Sequence, residues 1–426
     1  MPGIARCQRC PEYICVSDVL IPHPNAPTES RYDVVIDVPA TGPYGTHTFP
    51  VPARTNWVNS GLYLRSGQTA HITATGTWNA RGRDVGPAGD PEIGMQRGCA
   101  VGQLVARSDL RFEEAVTCIG ADAMFAAPHD GILYLAIIDS TDLGEGYAER
   151  DDLDGALTVT VTSTGDTVPS ISARDIASYA FERVASGWVE LRGAHNVVTI
   201  AASQAHLDRS TAVGSLATLD AIWEQHAALR GASPFFGQRI RWYPDDTIAS
   251  VASLVAGNPV RCVPELMNGL PNQRILRASE GATDIWGFAH ELGHTFGFIH
   301  GTWVYQINNV ESWPNIFTLH ALRSLGRTAG QPHVSTYCDG RAAYLAGGDP
   351  MTFREDPFLQ LCFLEEFEVA YPGFYSRFFR ALNTQTNDDV HYDDTAASAW
   401  RYVRDRFNLA AGEDTTPRFV RWRVPL

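Results

Sequence analysis

The chain contains 426 residues with a formal net charge of −15, because 48 acidic residues outnumber 33 basic ones, and all 33 are arginine. The absence of lysine excludes P-loop nucleoside triphosphatases, protein kinases and enzymes that hold a cofactor as a lysine Schiff base. The acidic balance argues against a nucleic-acid partner, which requires concentrated positive charge. No stretch approaches the ~20 apolar residues of a membrane span.

The N-terminal segment, residues 1–45, is predicted to be a tail. It lacks the uninterrupted apolar core of a signal peptide. Cys7 and Cys10 have the spacing of half a zinc knuckle, with Cys15 close behind, but no second pair follows at a matching distance. The eight cysteines are sparse for this length and do not indicate a disulfide scaffold. The sequence therefore favours a tail without metal and leaves the compartment open.

Residues 46–165 have the pattern of an all-β domain. Apolar and polar residues alternate with period two in runs such as 60–65, 69–75 and 157–162. Gly-rich turns separate these runs, and residues 81–90 predict a long loop between two strands. Short, evenly spaced strands of this kind indicate a β-sandwich.

Residues 166–426 have the pattern of an α+β, mainly helical domain. Apolar residues recur at helical spacing, and two short apolar runs between them predict strands. The predicted helices are 170–187, 211–229, 284–298, 311–325, 357–370 and 397–409, and the predicted strands are 196–201 and 239–243. The predicted fold class is therefore multidomain, with an N-terminal all-β sandwich followed by an α+β domain.

The motif His290-Glu291-x-x-His294 carries the clearest chemical signal in the chain. Residues at i and i+4 share one face of a helix, so His290 and His294 can place two imidazoles on one zinc ion. Glu291 can act as the general base that takes a proton from the attacking water. Imidazole pairs with a carboxylate suit zinc better than magnesium or calcium. Because Trp286 and Phe288 give this helix apolar surroundings, the pattern predicts a zinc hydrolase.

Two residues compete as the third zinc ligand. His300 completes the metzincin pattern H-E-x-x-H-x-x-G-x-x-H, in which Gly297 turns the chain so that the third His returns to the metal. That pattern also requires a Met-turn, for which Met351 is a distant candidate. Glu311 on the next predicted helix instead completes a two-His, one-Glu set that leaves the fourth position open. The residues alone allow both ligand sets.

The segment from about Ser172 to the C-terminus resembles the enhancin-like, mucin-degrading zinc metallopeptidases, a gluzincin-type family. Their pattern is W-G-x-x-H-E-x-G-H, followed after a gap by a second motif that contains a Glu. The matching residues are Trp286, Gly287, His290, Glu291, Gly293, His294, Asn309, Val310, Glu311, Asn315, Ile316 and Phe317. The resemblance implies His290, His294 and Glu311 as zinc ligands, Glu291 as the catalytic base, and mucin-like O-glycosylated proteins as substrates.

The β-rich segment resembles a second family, the calcium-dependent galactophilic lectins, which are jelly-roll-like sandwiches. The matching runs are 57–69, 76–78 and 86–90. The resemblance implies a bridging calcium ion near Asp139, Asp152 and Asp154, with galactose-type glycans as partners. Carboxylate-dense loops favour calcium, and the alternative reading of the same residues is a solvated acidic loop.

The favoured prediction is thus a zinc-dependent endopeptidase of mucin-like glycoproteins with a carbohydrate-binding β-domain. The resemblance implies an extracellular protein, although no signal peptide is recognisable. The alternatives are a metzincin-type protease that uses His300, and a lectin-like or adhesin-like binding protein with an inactive peptidase domain. Near the zinc motif, Trp286, Trp303 and Trp313 are predicted core residues, with sugar stacking as their less common role.

Overall fold

The computed structural model of the protein describes residues 5–6, 13–16, 19–22, 33–80, 82–111, 115–138, 153–250, 252–269, 273–281, 283–297, 310–383, 396–424 and 426. Two compact units divide the chain. The β-rich unit comprises Glu29–Asp220 and Phe235–Thr283, and the helical unit comprises Met1–Thr28, Ala221–Pro234 and Asp284–Leu426. Among the described residues, no helix combines the length and the apolar character needed to cross a bilayer.

Strands dominate the first 262 residues, and helices dominate the remainder. The strands are β1 (Ala5–Arg6), β2 (Tyr13–Val16), β3 (Val19–Pro22), β4 (Pro43–Pro52), β5 (Val58–Leu64), β6 (Thr69–Thr75), β7 (Trp78–Ala80), β8 (Arg83–Val85), β9 (Met95–Gln96), β10 (Cys99–Ala100), β11 (Leu104–Arg107), β12 (Thr117–Cys118), β13 (Asp122–Ala126), β14 (Gly131–Ile137), β15 (Leu153–Thr167), β16 (Ser170–Ser172), β17 (Trp188–Arg192), β18 (Asn196–Ala201), β19 (Ile240–Pro244), β20 (Leu254–Val255) and β21 (Val260–Cys262). The helices are α1 (Ala202–Leu207), α2 (Arg209–Arg230), α3 (Trp286–Gly297), α4 (Ser312–Ser324), α5 (Arg341–Leu345), α6 (Pro350–Glu355), α7 (Pro357–Ala370), α8 (Phe374–Leu382), α9 (Ala396–Ala411) and α10 (Thr416–Arg421).

The long strand β15 organises the larger sheet of the β-rich unit. It pairs antiparallel with β4 on one side and β6 on the other, and at its two ends it pairs with β7 and β5. Leu157, Val159 and Val161 point into the core and are fully buried, while the threonines between them face outward. The mostly β character of this region is confirmed, and its jelly-roll-like arrangement stays a prediction.

A second, six-stranded sheet of order β16-β17-β18-β19-β21-β20 follows in the β-rich unit. The turn between β17 and β18 is held by Asp220 of α2, whose carboxylate accepts hydrogen bonds from the backbone N–H groups of Ala194 and His195. A Cβ atom on Gly193 would lie 2.4 Å from that carboxylate, so a larger residue there would displace the carboxylate from its hydrogen bonds. The predicted strands at 196–201 and 239–243 are confirmed as β18 and β19.

The helical unit is built around an aromatic core. The ring of Trp313 on α4 stacks on Phe378 of α8, and Phe317 stacks on Phe379, with ring centroids 5.6 and 4.8 Å apart. All four side chains are buried. The helices predicted at 211–229, 284–298, 311–325, 357–370 and 397–409 are confirmed as α2, α3, α4, α7 and α9 within the described residues. The helical spacing of apolar residues was enough to predict these helices, because each of them buries a wide apolar face.

One buried arginine joins the C-terminal ends of two helices in the helical unit. Arg230, at the end of α2, donates from Nε to the Phe296 carbonyl of α3 at 3.1 Å. Its Nη1 donates to the Phe379 carbonyl of α8 at 2.9 Å and to the Asn383 side chain. Helix C-termini carry partial negative charge and unpaired carbonyl groups. A guanidinium group with several fixed donors satisfies both ends at once.

Three sequence-based expectations are corrected. The helix predicted at 170–187 is instead β16 followed by two short 3-10 turns, Ile176–Ser178 and Phe181–Arg183. Pairing of β16 with β17 takes up the backbone groups and outweighs the helical periodicity. The loop predicted at 81–90 contains strand β8, which pairs with β7. Finally, the cysteines form two disulfides that the sequence analysis did not anticipate, Cys99–Cys118 and Cys338–Cys362.

Candidate metal centre

Helix α3 presents the two motif histidines on one face. The Asp284 side chain caps the helix by accepting a hydrogen bond from the Trp286 N–H at 3.0 Å. One turn separates His290 from His294, and their Nε2 atoms lie 3.1 Å apart. Glu291 is buried beside them, and one ligand-type donor atom from each of the three residues lies within 4.8 Å of the others.

Glu311 approaches both imidazoles from a second helix. It lies directly before α4, and its Oε2 atom is 2.8 Å from His290 Nε2 and 3.4 Å from His294 Nε2. Hydrogen bonds from these two imidazoles hold the pKa of Glu311 well below its ordinary value. Burial opposes protonation of His290, but the Glu311 hydrogen bond and the nearby carboxylates raise its pKa above the usual value.

The spacing of the three donor atoms fits a divalent metal ion. Zinc bonds of about 2.0–2.1 Å in a tetrahedral arrangement place ligand atoms about 3.3–3.4 Å apart. The observed separations between the Nε2 and Oε2 atoms of His290, His294 and Glu311 are 2.8, 3.1 and 3.4 Å. Two imidazoles and one carboxylate thus form a three-ligand set of the kind found in catalytic zinc sites.

Asn315 orients the first of these imidazoles. Its Oδ1 atom lies 2.7 Å from His290 Nδ1, and its side chain is almost fully buried. When Nδ1 carries the proton and donates to this acceptor, the Nε2 lone pair is available to a metal ion. Asn315 matches the family motif, but the sequence did not predict this role for it. Its position four residues after Glu311 was the available signal, since residues at i and i+4 face the same side.

Gly293 allows the two ligand-bearing helices to approach each other. A Cβ atom there would lie 2.8 Å from the Pro314 carbonyl oxygen and 2.9 Å from the Pro314 Cα, both backbone atoms of α4. Real Cβ atoms do not come that close to backbone, so any other residue would push α3 and α4 apart. The glycine therefore sets the distance between Glu311 and the two histidines.

His226 on α2 packs against the same two helices. Its Nε2–H donates to the Ala289 carbonyl at 2.8 Å, one residue before His290. The ring contacts Phe296 of α3 and Phe317 of α4, each with centroids 5.5 Å away. Complete burial lowers the pKa of His226 to about 3, although the hydrogen bond to Ala289 opposes this shift. The contact leaves no signal in the sequence, because it joins two residues 63 positions apart in the chain.

The structure tests part of the metzincin alternative and part of the prediction for the three tryptophans. His300 and Trp303 lie outside the described residues. Met351 is 45% exposed on the short helix α6, which does not suit a buried Met-turn. Trp286 and Trp313 are buried, as predicted for core residues.

The predicted calcium site has no support from the described residues. Asp154 is exposed on β15, opposite Asn79 of β7. Asp139 and Asp152 lie outside the described residues. Calcium and galactose binding therefore stay predictions.

The Gly293→Ala substitution tests the helix approach. We expect at least a tenfold loss of zinc affinity and a lower melting temperature, because the new methyl group displaces α4 and with it Glu311. Competition with a chromogenic chelator measures the affinity. Gly340→Ala is the matched control, since its Cβ would meet only the Leu359 Cδ1 atom at 4.0 Å. Unchanged zinc affinity in Gly293→Ala would show that the spacing is not critical.

The Asn315→Ala substitution tests the orientation of His290. Removing the acceptor leaves the imidazole free to rotate, and we expect zinc affinity to fall by about 10–100-fold. Asn315→Asp retains an acceptor at the same place and should keep most of the affinity. Chelator competition on both variants decides the matter, and wild-type affinity in Asn315→Ala contradicts the assigned role.

The buried His226 predicts a specific pH dependence of stability. The unfolded imidazole binds a proton near pH 6.5, whereas the folded one stays neutral down to about pH 3. Acidification therefore favours the unfolded chain by up to ~1.4 kcal/mol per pH unit between these values. Urea unfolding between pH 6 and pH 4 should show a shallower loss of stability in His226→Gln. The exposed His206→Gln serves as control, and parallel profiles for His226→Gln and wild type refute the prediction.

No curated protein matches this sequence. Solved structures share its fold: a functionally unknown conserved protein from Bacillus anthracis at 14% identity, covering 89% of this chain and 76% of that one with a TM-score of 0.60. The M60 catalytic domain of Clostridium perfringens ZmpC, in complex with the sialyl T antigen, is 12% identical; the match covers 89% of this chain and 77% of that one, with a TM-score of 0.58. The IMPa metallopeptidase from Pseudomonas aeruginosa is 15% identical; the match covers 89% of this chain and 49% of that one, with a TM-score of 0.54.

The sequence profile of one peptidase family matches residues 180–423, which is more than half of the chain. This range contains every residue of the candidate metal centre. The chain therefore belongs to the peptidase M60 family, enhancin and enhancin-like.

Proposed function

We propose that this protein is a zinc-dependent endopeptidase that cleaves mucin-like O-glycosylated proteins. The observation that carries the proposal is the convergence of His290, His294 and Glu311 within 2.8–3.4 Å of one another, with Glu291 buried beside them. Membership of the M60 peptidase family gives this arrangement its reaction class, hydrolysis of a peptide bond.

The three ligand residues and Glu291 have different roles. His290, His294 and Glu311 would hold the metal. Zinc, when bound, would polarise the scissile carbonyl and make a water molecule more acidic. Glu291 takes the proton from the attacking water and passes it to the leaving amine. Asn315 keeps Nε2 of His290 available by accepting from Nδ1.

The ligands of related structures support the proposed substrate class. The ZmpC catalytic domain is described in complex with the sialyl T antigen, and another metallopeptidase with the same fold is described in complex with the Tn antigen. Both ligands are sugars of glycoproteins. By analogy we propose a glycosylated protein substrate, and a sugar-binding role for the β-rich region.

The two disulfides support an extracellular setting. Cys99–Cys118 lies in the β-rich unit and Cys338–Cys362 in the helical unit. Disulfides of this kind persist in oxidising compartments and are rare in the reducing cytosol. This agrees with a glycoprotein substrate outside the cell.

The Glu291→Gln substitution tests the reaction. A mucin-type glycopeptide and its bare counterpart are incubated with the protein, and the products are identified by mass spectrometry. We expect wild type to cleave the glycopeptide, and Glu291→Gln to lose about 10²–10⁴-fold in rate while still binding zinc. Glu182→Gln, an exposed residue of the β-rich unit, is the control. Undiminished turnover in Glu291→Gln would remove its role as base, and no zinc binding by wild type would favour a binding protein.

The Glu311→Ala and His300→Ala pair tests the third ligand. Loss of a direct ligand leaves two imidazoles, so zinc affinity should fall by several orders of magnitude in Glu311→Ala. His300→Ala should change it by no more than about 10–100-fold. The metzincin geometry makes the opposite forecast. Zinc stripped by His300→Ala and retained by Glu311→Ala would therefore establish the alternative ligand set.

A further inference from the structure

A small polar cavity lies against one face of the six-stranded sheet in the β-rich unit. Its volume is about 40 Å³. A single water molecule needs about 10–15 Å³ of such space, so the cavity has room for a small ion or a few water molecules and is too small for a sugar ring. Every residue that lines it belongs to the β-rich unit. The cavity therefore shares no residue with the candidate metal centre.

The register of three strands brings arginine side chains to the wall of this cavity. Arg192 of β17 is paired with Val197 of β18, and Val197 is paired with Arg241 of β19. Paired residues point to the same face of a sheet, so these side chains form a row across it. Arg239 is two residues before Arg241, and the period of two puts it on the same side. All four residues line the cavity, which we call the arginine cavity.

The lining of the arginine cavity has an excess of positive charge. Within the described part of the chain, its only acidic residues are Asp33 and Glu190. Arg239 pairs with Asp33 at 3.2 Å, and Arg241 pairs with Glu190. Because arginine stays protonated in proteins, the three arginines leave one net positive charge even when both carboxylates are ionised. This local excess occurs in a chain whose net charge is −15.

Burial makes an excess charge costly at this place. The side chains of Arg239 and Arg241 are only 7% and 12% exposed. Burial lowers the pKa of Arg241, and nearby acidic groups, Tyr134 and Asp33 among them, oppose this shift without reversing it. Protein interiors tolerate charges that are paired and hydrogen-bonded. An anion in the cavity would supply the negative charge that the two carboxylates leave short.

Two hydrogen-bond donors on lining residues favour the same kind of ligand. Trp57 and Ser170 both line the cavity, and Trp57 is 5% exposed. Trp57 Nε1 and Ser170 Oγ are buried and have no hydrogen-bond partner among the described residues. An indole N–H can only donate, and a hydroxyl can donate as well as accept. A ligand that accepts hydrogen bonds suits such groups, whereas the arginines would repel a cation.

We propose that the arginine cavity is a binding site for one small monovalent anion of the halide type. A single negative charge neutralises the lining, whereas a divalent anion would reverse its sign. A spherical ion accepts hydrogen bonds from any direction, so it can bind guanidinium groups that come from two different strands. Because the lining residues are spread from Asp33 to Pro259, the ion binds only the folded β-rich unit.

Thermal unfolding with exchanged anions tests the proposal. The full-length chain is freed of chloride by dialysis against sodium gluconate, and calorimetric melting is recorded as chloride replaces gluconate at constant ionic strength. Gluconate is monovalent but too large for the cavity, so it controls for charge screening of the surface. We expect the melting temperature to rise with the logarithm of the chloride concentration once the site fills, because an ion that binds only the folded state stabilises it by mass action.

Substitution of Arg192 locates the effect. Arg192→Gln should weaken chloride binding at least tenfold, because it removes the excess charge together with a charged donor. Arg192→Lys keeps the charge and should retain most of the chloride effect. Arg174→Gln is the matched control, since this arginine of the same unit has a side chain that is 86% exposed. Each variant is compared with itself in gluconate, so a general loss of stability does not affect the result.

Two results would overturn the proposal. A melting temperature that responds equally to chloride and gluconate would show that the cavity holds only water. An undiminished chloride effect in Arg192→Gln would place the ion elsewhere on this arginine-rich chain. If Arg192→Gln does not fold, crystals of the wild-type chain grown with sodium bromide decide instead. An anomalous bromide peak beside Arg192 in the cavity supports the site, and its absence refutes it.

Discussion

The close contact between α3 and α4 at Gly293 is the constraint on which the candidate site depends. The missing side chain lets the backbone at Pro314 approach to a distance that no Cβ atom could tolerate. Because His290 and His294 belong to α3 while Glu311 precedes α4, this one contact sets the separation of all three donor atoms. A metal site needs its ligands within a few tenths of an ångström of their ideal positions. Gly293 thus controls the relative positions of the three candidate metal ligands.

Other residues brace α3 from the side of α2. Arg230 bonds to a carbonyl at the C-terminal end of α3, and His226 bonds to the carbonyl just before His290. Both side chains are completely buried, so each polar atom they satisfy would otherwise be costly to leave unpaired. Such bonds specify one rotation of α3 about its axis more narrowly than apolar packing does. The histidine face therefore points at Glu311 instead of into the core.

The chemistry of the site was predictable from the sequence because it is local. His290, Glu291 and His294 fall within five residues, and helical spacing alone brings the two imidazoles together. Glu311 needed the family resemblance, since its approach depends on the fold of α4 against α3. His226 and Arg230 gave no signal, because their partners lie far away in the chain and a backbone carbonyl leaves no mark in sequence. The helix predicted at 170–187 failed for a related reason, as β16 pairs with a strand that periodicity does not reveal.

Sequence periodicity also does not reveal where the β-rich region ends, because long-range contacts decide it. Within the β-rich unit, Arg239 pairs with Asp33 at 3.2 Å, and Arg261 donates to the Leu110 carbonyl at 2.8 Å. Both arginines are buried and lie on or beside the six-stranded sheet, while their partners belong to the segment before it. A cut near residue 165 would remove Asp33 and the Leu110 carbonyl, leaving Arg239 with the Gly193 carbonyl and Arg261 with Asp245. Each buried cation would lose part of its hydrogen bonding, which is destabilising. These contacts argue that residues 46–165 and the six-stranded sheet fold together, so any sugar-binding role of the β-rich region is best examined in the whole chain.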